Sequence, residues 1–253
     1  MPPIQSVPLL LAVFLLAACQ PSAVPTSLPN AAVTLTASLP PPSPSPTFTP
    51  EPAPTPTLPP PTPLPRFFTE QFEGGVPAWA MLQSNADTPP AVRLQDGALV
   101  FDLQQPYQWA YTILGTQEYT DVRLDALVQS RGTGPEALGL VCRYSEADGW
   151  YEFNISSDGS YSVLLGQWLE KGVATYSPIA AADSEYLKRG GEQNEIGLAC
   201  QEDTLWLYIN GKLFRKLDVA RFGLRQGRLG LAAASFENLP VTAAFDWVKV
   251  GEP

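Results

Sequence analysis

From residue 67 onward the chain alternates short apolar runs with turn residues and shows no long helical period. The pattern is sharpest over 139–161, GLVCRYSEADGWYEFNISSDGSY, where three apolar and aromatic runs are separated by Asp148-Gly149 and Ser157-Asp158-Gly159. The turn positions hold residues that tolerate positive φ, whereas Val141, Tyr144, Tyr151, Phe153 and Ile155 favour a pleated surface, so the stretch reads as three antiparallel strands. The same signals predict strands over 67–72, 98–103, 109–114, 122–130, 138–144, 150–156, 161–166, 174–179, 195–201, 205–210, 212–218, 228–234 and 242–250. Only 180–189 and 219–224 read as single helical turns. So many strands without helices imply an all-β domain, two antiparallel sheets packed face to face as a β-sandwich. In LWLYINGKLFRKL, Asn210-Gly211 predicts a two-residue type I′ turn, which would set Trp206 opposite Arg215 with the guanidinium over the indole. Both faces of that hairpin carry apolar residues, so pairing alone does not say which is core.

The N-terminal third follows a different pattern. Residues 1–19 hold an apolar run from Leu9 to Ala18, too short to cross a bilayer, that ends in Leu16-Ala17-Ala18-Cys19. This reads as a secretory signal with small residues before its cleavage point. The cysteine after Leu-Ala-Ala resembles the lipobox of bacterial lipoproteins, whose thiol receives a diacylglyceryl group and becomes the first residue after cleavage. The other reading is an ordinary signal peptide with a chance cysteine. Two or three acyl chains on Cys19 would hold the protein stably at a membrane, facing away from the cytoplasm. Residues 20–66 contain 17 prolines in 47 positions, with Glu51 and Arg66 the only charges. Such a segment cannot bury a core and reads as a disordered linker; in polyproline II it would extend to ~140 Å. Its Pro-Ser-Pro and Thr-Pro-Thr steps also allow a recognition tract or a glycosylation target, but a stiff stalk explains the composition by itself.

Residues 67–253 are therefore the part that folds, a span suited to one domain, and they contain all six tryptophans. The net charge of −10 falls entirely within them. That disfavours nucleic acid as a partner and flat docking on anionic lipid; solubility outside the cell accounts for the acidity. There is no histidine, which removes Ser-His-Asp and Cys-His catalysis and imidazole zinc sites. Neither a CxxC pair, a phosphate-cradling glycine loop nor an EF-hand-type acidic run occurs. The paired-carboxylate patterns that jelly-roll glucanases set on one strand face are also missing; 118–125, EYTDVRLD, comes nearest, with the wrong spacing. With Cys19 assigned to lipid, Cys142 and Cys200 remain as an even pair in similar mid-strand contexts, GLVC and GLAC; an exported domain would bridge them, the other reading being two buried free thiols. The expected Cα separation is under about 7 Å.

Several of these features recur together in one superfamily. The F-x-x-x-F of Phe68 and Phe72 followed by Trp79, the central GLVCRYSEADGWYEFNISSDGSYSV, the strand start at 194–196, the YINGKL hairpin and the terminal FDWVKV resemble a concanavalin A-like, laminin-G-type jelly roll. Within it the chain is most similar to the bacterial 3-keto-disaccharide hydrolase family, which also holds secreted lipoproteins. The resemblance spans essentially all of 67–253 and implies a sandwich that binds carbohydrate or protein partners. It transfers no catalytic residue to this chain.

Period-two alternation places Trp150, Glu152 and Asn154 on one face of their strand and Tyr151, Phe153 and Ile155 on the other. With Arg143 as a neighbour from the preceding strand, that first face is the candidate ligand site: an aromatic plate beside a carboxylate, an amide and a guanidinium suits the C–H face and hydroxyls of a sugar. The opposing possibility is that Trp150 is core and that Arg143 and Glu152 form a cross-strand ion pair. Trp168, expected on a loop after Gly166, is the second aromatic candidate. Because jelly rolls often carry a structural ion where their terminal strands meet, Glu70 and Asp246 are candidate calcium ligands. The sequence thus supports a lipid-anchored module that binds glycan or another cell-surface ligand without chemistry. A glycoside hydrolase of the 3-keto-disaccharide type and a protein-binding adhesion or scaffold domain are the alternatives.

Overall fold

The computed structural model describes residues 65–75, 79–132 and 135–253; Cys19 and most of the proline-rich linker lie outside them. Two antiparallel sheets make up the domain. Sheet A contains β1 (Phe68–Glu70), β3 (Ala91–Gln95), β4 (Ala98–Leu103), β6 (Val122–Ser130), β11 (Asn194–Gln201), β12 (Thr204–Ile209), β13 (Lys212–Asp218) and β15 (Val241–Gly251). Sheet B contains β2 (Ala80–Ser84), β5 (Trp109–Ile113), β7 (Glu136–Ser145), β8 (Gly149–Ile155), β9 (Ser160–Glu170), β10 (Val173–Asp183) and β14 (Arg228–Ser235). The order is β13-β12-β11-β6-β15-β4-β3 in sheet A, with β1 beside β15, and β10-β9-β8-β7-β14-β5-β2 in sheet B.

Apolar alternation decides which face of each strand turns inward. In β6, Val122, Leu124, Ala126 and Val128 are buried while Arg123, Asp125, Leu127 and Gln129 are half-exposed. Those inward residues meet Leu138, Leu140, Tyr151, Phe153, Ile155 and Val163 of sheet B in one continuous core. Cys142 of β7 and Cys200 of β11 are bridged across it with Cα atoms 6.7 Å apart, tying sheet to sheet within the expected reach.

The structure departs from the sequence reading in several elements. Strands β2 and β3 were not anticipated. They are short and close to the sheet edges, but β3 has a local signal, Asp96-Gly97, whose φ values of 54° and 74° form the tight turn into β4. Residues 180–189 do not form a helical turn, because β10 continues to Asp183 by pairing Ala180–Asp183 with Val163–Ser160 of β9. The segment 219–224 does turn, as a 3-10 helix over Ala220–Phe222 capped by left-handed Gly223. Asn210 and Gly211 close the expected hairpin with φ 50° and 75°, yet a bulge beyond Tyr208 admits Phe214 as an extra residue. Trp206 therefore faces Lys216 instead of Arg215, and the ammonium lies 3.6 Å from its ring centroid.

Candidate functional site

Strand β8 differs from β6 in that all seven of its residues are buried. Tyr151, Phe153 and Ile155 enter the inter-sheet core, while Trp150, Glu152 and Asn154 face the other side of sheet B, where a second cluster has formed. Trp150, Tyr111 and Tyr144 lie inside this cluster; Trp109, Trp168 and Tyr176 cover it and remain partly exposed. Small residues make the room. A Cβ at Gly166 would collide with the Trp150 indole, and one at Gly139 with Asn154 Oδ1, so both large side chains lie close over the sheet only because their neighbours have none.

Closure of this face depends on sheet curvature. Tyr176 on β10 and Trp109 on β5 stack with centroids 4.6 Å apart and planes at 23°. The Tyr176 hydroxyl stands 2.5 Å from Ser84 Oγ and 2.9 Å from the Tyr111 hydroxyl, and Asn85 N donates to Gly172 O at 3.1 Å. Edge strand β2 thus meets the β9–β10 turn from the opposite edge, and the sheet curls over its own outer face.

Beneath that seal lies Glu152, with no exposed surface. Its Oε1 accepts from Trp109 Nε1 at 3.2 Å and Asn154 Nδ2 at 2.8 Å; its Oε2 accepts from Tyr111 Oη and Trp150 Nε1, both at 3.0 Å. All four partners are neutral donors. Burial pushes the carboxyl above the usual carboxylate range, and the four hydrogen bonds oppose that push without reversing it. Burial and the adjacent Glu152 charge also raise the Tyr111 and Tyr176 phenols, the first of them far. A carboxylate acting on a ligand must come within hydrogen-bond reach of it, and here the surrounding side chains fill that space. The arrangement organises the aromatic cluster.

Arg143 is not part of this face, contrary to expectation. It lies at the β7 bulge with φ 55°, which turns its side chain away from Glu152. The buried guanidinium donates instead to the carbonyls of Leu224 (2.7 Å), Thr120 (3.1 Å) and Glu202 (2.7 Å), pinning three connecting segments. Glu70 and Asp246 do not converge on an ion site either. Glu70 accepts from Phe72 N at 2.7 Å, and Asp246 is engaged by Gln193 and, at 3.8 Å, by Arg131. Among the described residues no group of three or more potential metal-ligating side chains stands together. The sequence reading missed Trp109, Tyr111, Tyr144, Tyr176 and Ser84. Trp109 and Tyr111 do alternate onto one face of β5, but nothing local aligns that face with β10.

Trp168 lies on β9, paired to Ala174, and not on a loop. It borders a depression of about 1040 Å³ formed with Leu82, Gln83, Tyr144, Glu146, Leu169, Glu170, Lys171 and Arg228. Its Nε1 donates to Tyr144 Oη at 3.1 Å, and its ring is tilted 46° against Trp150 at 5.2 Å. Arg228 lies over the Tyr144 ring at 5.1 Å. The result is a fixed, half-exposed indole beside carboxylate, amide, ammonium and guanidinium groups.

No family model matches the chain, and no curated protein matches it. Solved structures do. The Bacillus licheniformis beta-glucanase is 11% identical, covering 74% of this chain and 98% of its own, with TM-score 0.52. The catalytic domain of an endo-1,3-beta-glucanase (laminarinase) from Thermotoga petrophila is 13% identical, covering 72% and 95%, with TM-score 0.51. A Bacillus subtilis protein of unknown function with a galectin-like fold is 9% identical, covering 73% and 94%, with TM-score 0.54. At these identities the likeness is one of fold, and the fold is the concanavalin A-like jelly roll.

Proposed function

We propose that this chain is a lipoprotein tethered at the outer side of a membrane through Cys19, and that its sandwich binds carbohydrate at the Trp168 depression without chemistry. One observation carries the reading: Trp168 offers a partly exposed indole whose N–H is held by Tyr144 and whose ring is held against Trp150. A ring fixed in that way can stack on the C–H face of a sugar at little cost in side-chain entropy, while Gln83, Glu146, Glu170, Lys171 and Arg228 stand by for its hydroxyls. The lipobox, the proline-rich stalk and a fold shared with glucanases support the same reading. Relatedness to the 3-keto-disaccharide hydrolases remains a proposal of the sequence motifs. Hydrolysis by Glu152 is disfavoured because it is sealed, and the nearest buried carboxyl along the sheet, Glu136, is bonded to Ser157 at the other end of β7.

The test is a glycan array probed with the purified chain and with Trp168→Ala. Capture of a glycan, weakened about tenfold or more by the substitution, is the expected result. Release of sugar from a 3-keto-disaccharide, lost in Glu152→Gln, would replace the reading with a hydrolase; capture of a surface protein in place of any glycan would replace it with an adhesion domain. Incorporation of labelled fatty acid in a bacterial host, abolished by Cys19→Ser, tests the anchor separately.

A further inference from the structure

The positive charge of this acidic domain is concentrated in one place. Between Lys212 and Arg225 stand five of the fifteen Lys and Arg residues of the chain, with a single acid, Asp218. They belong to β13, the edge strand of sheet A, and to the 3-10 turn and loop that follow it. Asp218 is engaged at Ala220 N, and Arg225 pairs with Asp203. Each of the other four lies over an aromatic ring: Lys212 over Tyr186 at 5.2 Å, Arg215 over Tyr161 at 5.8 Å, Lys216 over Trp206 at 3.6 Å and Arg221 over Phe222 at 4.5 Å. Among the described residues none of these four forms an ion pair.

A cation held by a ring differs from one held by a carboxylate. The ring quadrupole fixes the side chain but leaves its full charge, so a later anion meets an ordered and unneutralised donor. Edge strands commonly carry Lys to prevent pairing with another sheet, and that role asks only for charge, not for a ring beneath each one.

We infer that the β13 edge is a docking strip for an acidic polysaccharide, a chain of uronate sugars. Its carboxylates would meet Lys212, Lys216 and Arg221, and its ring C–H surfaces would meet exposed Leu213 and Tyr186 and half-exposed Trp206. That mixture of charge and apolar contact favours a sugar acid over a bare phosphate chain. The proline-rich residues 20–66, proposed above as a stalk, would set the domain apart from a bilayer, which argues against lipid headgroups. The strip is separate from the Trp168 depression, so either can fail without the other.

The experiment is affinity electrophoresis of the full chain through gels containing polygalacturonate, with a neutral glucan, inorganic polyphosphate and phosphatidylglycerol vesicles as comparisons. Polygalacturonate is expected to retard the chain, the neutral glucan much less, with retardation falling as salt shortens the Debye length from about 10 Å at 0.1 M. The triple variant Lys212→Gln, Lys216→Gln, Arg221→Gln should lose at least about tenfold in affinity while still unfolding cooperatively in urea, those side chains being exposed. Trp168→Ala should leave this binding intact. No retardation, equal retardation by the neutral glucan, tighter binding of polyphosphate or vesicles, or an unaffected triple variant would each overturn the inference.

Discussion

Trp109 and Tyr176 stack face to face at 4.6 Å although their strands, β5 and β10, lie five places apart in the same sheet. At ~4.8 Å per strand a flat sheet would separate them by ~24 Å, more than two side chains can bridge. The contact therefore measures how far sheet B curls, and it seals Glu152 beneath it.

Removing that contact should open the face. Trp109→Ala deletes the stack and one of the four hydrogen bonds to Glu152, and is expected to cost about 3–5 kcal/mol. Tyr176→Phe keeps the ring but removes the hydroxyl that bridges Ser84 and Tyr111, for about 1–2 kcal/mol. Urea unfolding gives both values; equal losses would mean that the hydroxyl, not the stack, holds the seal.

Close approach can be tested from the other side. Gly166→Ala sets a methyl group against the Trp150 indole in a closed cluster, and about 1–3 kcal/mol of overpacking strain is expected. Gly251→Ala, where no atom lies near the added methyl and φ is outside the left-handed region, supplies the control for the general effect of losing a glycine. Thermal denaturation should rank Gly166→Ala well below it.

The carboxyl of Glu152 makes a pH prediction with a definite sign. Burial raises its folded-state pKa above the unfolded value, so between those two values the folded protein holds more protons than the unfolded chain. Stability from this group therefore falls as pH rises from the ordinary carboxylate range up to the raised folded value. Glu136, also raised chiefly by burial, contributes with the same sign. Glu152→Gln should flatten the slope partly, leaving the Glu136 share, and should cost about 1–3 kcal/mol because an amide must present a donor to donors. Urea midpoints across that pH range for both proteins test it; parallel curves would show that Glu152 does not contribute.

Breaking the Cys142–Cys200 bridge releases a 58-residue separation between the two sheets. The chain-entropy model sets the expected loss for the double Cys→Ser variant at about 4 kcal/mol, less any native strain. A reducing agent should lower the unfolding midpoint of the parent protein and leave that of the variant unchanged.

How much of this was legible depends on the range of the signal. Asn210-Gly211 specified its turn locally, and the matching contexts of Cys142 and Cys200 marked facing strands. Trp150, Glu152 and Asn154 could be assigned to one face because the strand period is two. Arg143 was misassigned because a single residue at positive φ breaks that period, and its bulge carries no reliable local mark. Trp206 was paired one residue out for the same reason, through Phe214.

By itself, then, the chain determined an all-strand sandwich, its principal turns and its bridged cysteines, since these follow from residue type and from periods of a few positions. Tertiary structure alone decided that the Glu152 face is closed, that Arg143 serves three backbone carbonyls and that Trp168 is a partly accessible aromatic bordering a depression. Sheet curvature brings together residues from β2, β5, β8, β9 and β10, and curvature is set by the packing of all the strands at once.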